Sequence, residues 1–167
     1  QRKETYEVKF DGNHIITLKY SYERTGTCKD KFYEWQYNID KNVAENIKDK
    51  KKLTIEFPDN IQDKLSYHFQ NRLNLLNNPK QDHFVYPVIS TSGKISNYVY
   101  EYDGEEELIL PFVIMQTVRL KREVVSKERV TYAWFAPKHD YLLVKIYQSK
   151  GDIEQFEAQL TSLTIDE

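Results

Sequence analysis

The sequence predicts a mainly β fold, a curved antiparallel sheet or partial β-barrel with one amphipathic helix. Three observations predict it. Apolar residues recur at every second position along most of the chain, which is the period of a half-buried strand. Tyr accounts for 13 of 167 residues, and its ring packs on a pleated surface while its hydroxyl stays wet. The alternating runs are separated by short turn sequences, which suit antiparallel neighbours rather than crossover helices.

The elements follow in order. Tyr6, Val8 and Phe10 alternate, and Asp11-Gly12-Asn13 supplies a tight hairpin turn. Ile16, Leu18, Tyr20 and Tyr22 then share one face. Tyr33, Trp35, Tyr37 and Ile39 form the next set, closed by Asp40-Lys41-Asn42. Val43 and Ile47 mark a weak edge strand, and the lysine-rich stretch from Lys48 to Lys52 reads as a solvated turn. Leu53, Ile55 and Phe57 follow and stop at Pro58.

One helix is expected over about 61–76. Ile61, Leu65, Phe69, Leu73 and Leu76 recur at helical spacing and place one stripe on a sheet. Asp59 with Gln62 makes a capping-box pattern, and Asp63 and Ser66 are further capping groups. Asn77-Asn78-Pro79 ends the helix. Strands are then expected at 84–89, 95–102, 106–110, 113–122, 128–135, 142–148 and 156–164. Their turns fall at Ser92-Gly93, Asp103-Gly104, Pro111, Ser126-Lys127, Pro137 to Asp140, and Lys150-Gly151-Asp152.

Composition bounds the function. A chain with 40% hydrophobic and 30% charged residues is read as one β-rich domain over 1–167. A net charge of −2 carries no electrostatic footprint for nucleic acid. No apolar run is long enough for a signal h-region or a membrane-spanning helix. Cys28 stands alone and reads as a free loop thiol.

Candidate sites are sparse. His14, His68, His83 and His139 have no metal-ligand spacing, so no metal site is expected. Five glycines, none of them in a phosphate or dinucleotide loop, imply no cofactor. The run Glu105-Glu106-Glu107 after Asp103-Gly104 reads as a solvated hairpin, because strand neighbours point to opposite faces. Hydrolase chemistry would draw on Asp63, Ser66 or that acidic hairpin, and no catalytic residue is assigned. The aromatics allow two readings. Trp35, Phe69, Leu73, Tyr98, Tyr100 and Trp134 line a site for a hydrophobic or lipid-like ligand, or the rings are cross-strand packing. Tyr98, Tyr100 and Tyr102 share a face that makes a partner patch if exposed.

The run Trp134-Phe135-Ala136-Pro137-Lys138-His139-Asp140-Tyr141-Leu142-Leu143-Val144-Lys145-Ile146 resembles the strand-turn-strand signature of the bacterial domain of unknown function 3108 family. Gln62-Asp63-Lys64-Leu65-Ser66 and Leu18-Lys19-Tyr20-Ser21-Tyr22-Glu23 resemble further motifs of that family, in the same order along roughly 6–163. Leu143 and Lys64 stand where the family has Pro. The resemblance implies a periplasmic location, a mostly β fold, no established activity, and N-terminal family strands that this sequence lacks. The expectation is a non-enzymatic periplasmic binding module for a hydrophobic or lipid-like molecule. The alternative is an envelope assembly factor pairing with a protein through a sheet edge.

Overall fold

A computed structural model of the chain describes residues 2–11, 14–26, 30–38, 40–41, 43–46, 52–54, 61–63, 66–90 and 92–160. Within them lie eleven strands and one α-helix. β1 (Arg2–Asp11), β2 (His14–Arg24), β3 (Lys31–Asn38), β4 (Val43–Asn46) and β5 (Lys52–Thr54) form an antiparallel sheet in chain order. The helix α1 (Tyr67–Asn77) follows. β6 (His83–Ile89), β7 (Ile95–Ile109), β8 (Ile114–Val124), β9 (Arg129–Ala136), β10 (Leu142–Lys150) and β11 (Ile153–Gln159) form the second sheet, again between chain neighbours. The expected mainly β, antiparallel fold with one helix is what forms, and neither sheet closes into a barrel.

The described residues fall into two compact units. One takes in Gln1–Asn71 and Tyr86–Tyr98, the other Arg72–Val85 and Val99–Glu167.

In the first unit the alternation works as its period dictates. Asp11 pairs with His14, while Gly12 and Asn13 lie outside the described residues. Tyr20 stands opposite Trp35, Trp35 opposite Asn46, and Tyr37 opposite Ala44, so these side chains share one face. That face is the core: Tyr20, Trp35, Tyr37 and Ala44 are buried and pack with Ile61 and Ile89. A large ring removed from water at such a place stabilises by roughly 1.5–3 kcal/mol. β4, expected at an edge, is an inner strand paired with β3 and β5. Ile39, Ile55, Phe57 and most of the lysine-rich turn lie outside the described residues.

The helix corrects two expectations. It begins at Tyr67, not near Ile61, because Gln62 is held in a β-bridge instead. Gln62 bridges β6 in parallel: its N–H donates to Pro87 O at 2.8 Å, and Ile89 N–H donates to Gln62 O at 2.9 Å. The buried positions of α1 are Tyr67, His68, Gln70, Asn71 and Leu75, whereas Phe69 and Leu76 are exposed and Leu73 is half-buried. Leu65 lies outside the described residues. The inward stripe carries polar groups, one of which is met by β6: Tyr86 Oη donates to Asn71 Oδ1 at 2.7 Å.

In the second unit the hairpins at Pro111, Ser126-Lys127, Pro137–His139 and Lys150-Gly151-Asp152 are where the turn residues put them. Glu128 and Asp140 close the two 3₁₀ turns in the left-handed region, with φ of 51° and 52°. Asp103-Gly104 makes no turn. β7 runs through it as one strand, with a bulge between Tyr102 and Glu105 where Gly104 takes φ +98°. The last strand starts at Ile153 rather than Phe156, and residues 161–167 lie outside the description.

Candidate functional site

Among the described residues polar chemistry converges in two places. The first is the start of α1. Ser66 N–H donates to Asp63 Oδ1 at 2.7 Å, and Asp63 N–H donates to Ser66 Oγ at 3.0 Å. This is a reciprocal cap of the capping-box kind, formed by residues three apart. Ser66 Oγ also donates to Gln62 Oε1 at 2.7 Å, and Ser66 O accepts the N–H of Gln70 at 3.1 Å. Gln62, Asp63 and Ser66 are fully buried. Ser66 thus spends its hydroxyl on shaping the chain, as its capping role requires. Asp59, the expected capping partner of Gln62, lies outside the described residues.

Two titratable groups border this cap. Burial, and secondarily the Asp63 carboxylate, hold the Tyr37 phenol above its ordinary range. Burial lowers His68 to about 4, so its ring is neutral at neutral pH. The His68 ring lies 4.3 Å from that of Tyr67, which meets Tyr98 edge-on at 5.3 Å.

The second place is one face of the six-stranded sheet. Arg119 Nε donates to Asp103 Oδ2 at 2.8 Å, and Arg119 Nη1 reaches Glu106 Oε2 at 3.2 Å. The same Glu106 oxygen accepts the indole N–H of Trp134 at 2.7 Å. Arg119 lies over the Tyr132 ring at 5.0 Å, and Lys145 over the Trp134 ring at 4.9 Å. Lys145 also pairs with Glu157 at 3.3 Å. The rings are therefore capped by the protein's own cations, in the geometry that a quadrupole favours. Asp103 and Glu106 would face opposite ways on a regular strand. The bulge at Gly104 inserts the extra residue that lets both meet Arg119. Only the glycine hinted at this in the sequence. Glu107 points elsewhere and accepts from Gln116 Nε2 at 2.6 Å.

The residues expected to line a ligand site divide between the two units, Trp35, Phe69 and Tyr98 in the first and Leu73, Tyr100 and Trp134 in the second. Trp35 is 1% exposed in the first core. Trp134 is buried with Leu108, Leu110, Met115, Ala136 and Val144. Tyr100 is fully buried, Tyr98 is half-buried against Tyr67, and Tyr102 is exposed, so the three tyrosines make no continuous surface patch. Phe69 is exposed and Leu73 half-buried on α1. Cys28 lies outside the described residues.

A cleft of about 530 Å³ opens on the first sheet, between side chains that include Leu18, Lys19, Tyr37, Lys41, Val43 and Glu45. Its charged lining is unlike the apolar interior that a lipid needs. Among the described residues no three His, Cys, Asp or Glu side chains converge as a metal site. No described helix is long and apolar enough to cross a membrane.

Sequence reasoning expected the last strand over 156–164 but not its earlier start or its exposure. β11 is exposed at every position, with Ile153 and Phe156 prominent, and among the described residues no strand pairs with its outer edge. No family model matches the chain, and no curated protein or solved structure matches it.

Proposed function

We propose that this chain is a non-enzymatic interaction module that takes an extended segment of a partner protein onto its second sheet at β11. The observation that carries the reading is the seven-residue strand exposed along its whole length at the end of the sheet order. An edge of that kind offers a row of backbone donors and acceptors to an incoming strand. Ile153 and Phe156 supply apolar contacts beside the ladder. Glu154 and Glu157 guard the edge against indiscriminate pairing.

The packed surroundings of Trp35 and Trp134 favour an edge-bound protein over a hydrophobic or lipid-like molecule held inside. The proposed location is the bacterial periplasm. It rests on the family resemblance, and cell fractionation tests it separately.

The test places a photo-crosslinking residue at Gln155 in the producing cell and identifies the captured protein. Amide exchange of 153–159 is then followed with the purified partner. Slower exchange along the strand is the expected result. A partner that crosslinks but leaves those amides unprotected, or a strictly monomeric chain that captures nothing, overturns strand addition.

A further inference from the structure

The strand β11 carries a bulge of its own, and the bulge sorts its side chains. Gln148 stands opposite Phe156 while Ser149 stands opposite Glu154, so Gln155 is the extra residue. Directly opposed residues share a face of the sheet. Glu154 therefore lies on the face of Ser149. Glu157 lies opposite Tyr147, which shares that face with Ser149 on β10. On a regular strand these two glutamates, three residues apart, would face opposite ways; the bulge brings them together. Phe156 lies on the other face with Gln148, and Ile153, opposite Lys150, joins it there. Gln148 Nε2 donates to Gln155 Oε1 at 2.8 Å and ties the bulged residue to β10. The outer strand is thus acidic on one face and apolar on the other, with Ile153 71% and Phe156 40% exposed. No residue of 153–159 is basic.

The two carboxylates differ. Glu157 is already paired with Lys145 at 3.3 Å, and Lys145 also lies over the Trp134 ring. Glu154 is exposed, and no cation among the described residues pairs with it. We infer that the segment taken up at β11 alternates basic and apolar residues: an extended strand with a lysine or arginine on the Glu154 face and aliphatic side chains on the face of Ile153 and Phe156. This rests on strand addition at β11 and names the chemistry of the occupant. An incoming strand alternates its side chains between the same two faces. A cation opposite Glu154 gains a cross-strand ion pair, whereas an acidic residue there is repelled. Aliphatic residues on the other face cover Ile153 and the Phe156 ring, which otherwise stand in water. A second copy of this edge is the poorer match, because it brings the same two carboxylates and no cation.

The test titrates the full chain at low salt with three heptapeptides: lysine alternating with valine, glutamate alternating with valine, and lysine alternating with serine. Amide exchange and backbone chemical shifts of 153–159 report binding. The lysine–valine peptide is expected to slow exchange along the strand. It should bind about tenfold more tightly than the glutamate–valine peptide, which replaces a favourable cross-strand pair by an unfavourable one. Glu154→Lys should reverse that preference, and Phe156→Ser should weaken the lysine–valine peptide towards the lysine–serine one. Both positions are exposed, and circular dichroism of each variant must keep the β spectrum of the parent. Equal binding of the lysine–valine and glutamate–valine peptides overturns the basic partner and leaves strand addition standing. So does capture in the cell of a protein whose crosslinked segment is acidic. A preference that Glu154→Lys leaves unchanged overturns the inference, as does a lysine–serine peptide that binds as tightly as the lysine–valine one. Self-association through β11 that excludes the peptides makes a second copy the occupant and overturns it as well. No protection by any peptide, together with no crosslinked protein, removes both this inference and strand addition.

Discussion

Ser66 shows why residue type alone misleads. A serine beside an aspartate and near a histidine invites a nucleophile reading. In the fold its hydroxyl accepts from Asp63 N–H, donates to Gln62 Oε1, and starts the helix instead. Ser66→Ala removes both of those bonds at a fully buried site. We expect it to destabilise the chain by about 1–3 kcal/mol in urea denaturation. A neutral substitution would return the hydroxyl to other work. His68 makes a separate statement about pH. Its folded pKa, about 4, lies below the ordinary 6.5, so burial favours the neutral ring. The unfolded chain then binds the extra proton as pH falls through 6.5, and stability is lost progressively down to about 4. Between pH 7.5 and 5.5 the loss from this group should be about 1 kcal/mol, and His68→Asn should remove that part of the pH dependence. Identical pH profiles for the two proteins would show that His68 does not titrate differently on folding.

At the scale of the element, the strand β7 carries the clearest lesson. Gly104 was expected to turn the chain, since Asp-Gly between alternating runs is a hairpin signal. It bends a continuous strand instead, because both halves of β7 find partners on β8. The positive φ of Gly104 strains any other L-residue, while a Cβ there would meet nothing within 4 Å. Gly104→Ala should therefore destabilise by about 1–2 kcal/mol through backbone strain alone. Thermal unfolding measures this. A larger loss, or loss of the Arg119 contacts to Asp103 and Glu106 in a variant structure, would show that the bulge itself had collapsed. The helix gives a parallel case. The Phe69, Leu73 and Leu76 stripe is genuine as a pattern, yet α1 buries the stripe of Tyr67, Asn71 and Leu75. Hydrogen-bonded polar groups can be buried at little loss, so apolar spacing does not by itself decide which way a helix turns.

On the scale of the whole molecule, the cores decide between packing and ligand lining. Trp35 sits in the first core with Tyr20, Tyr37, Ile61 and Ile89. Trp35→Ala should therefore destabilise by about 3–5 kcal/mol in chemical denaturation, the range for deleting a packed ring. A loss under about 1 kcal/mol would mean that the ring lines an open site. The β class, the one helix and the shared face of Trp35 and Tyr37 were legible from residue order, because strand alternation is local and each turn carries its own chemistry; that this face is core was not. So were the hairpin at Pro111 and the capping by Asp63 and Ser66. The division of the strands into two sheets, the inner place of β4 and the exposure of β11 were not legible, since pairing across long stretches of chain leaves no mark in any one segment. Nor was the meeting of Asp103 and Glu106 at Arg119. A bulge resets the two-residue period, and only backbone pairing with a neighbouring strand fixes where that reset falls.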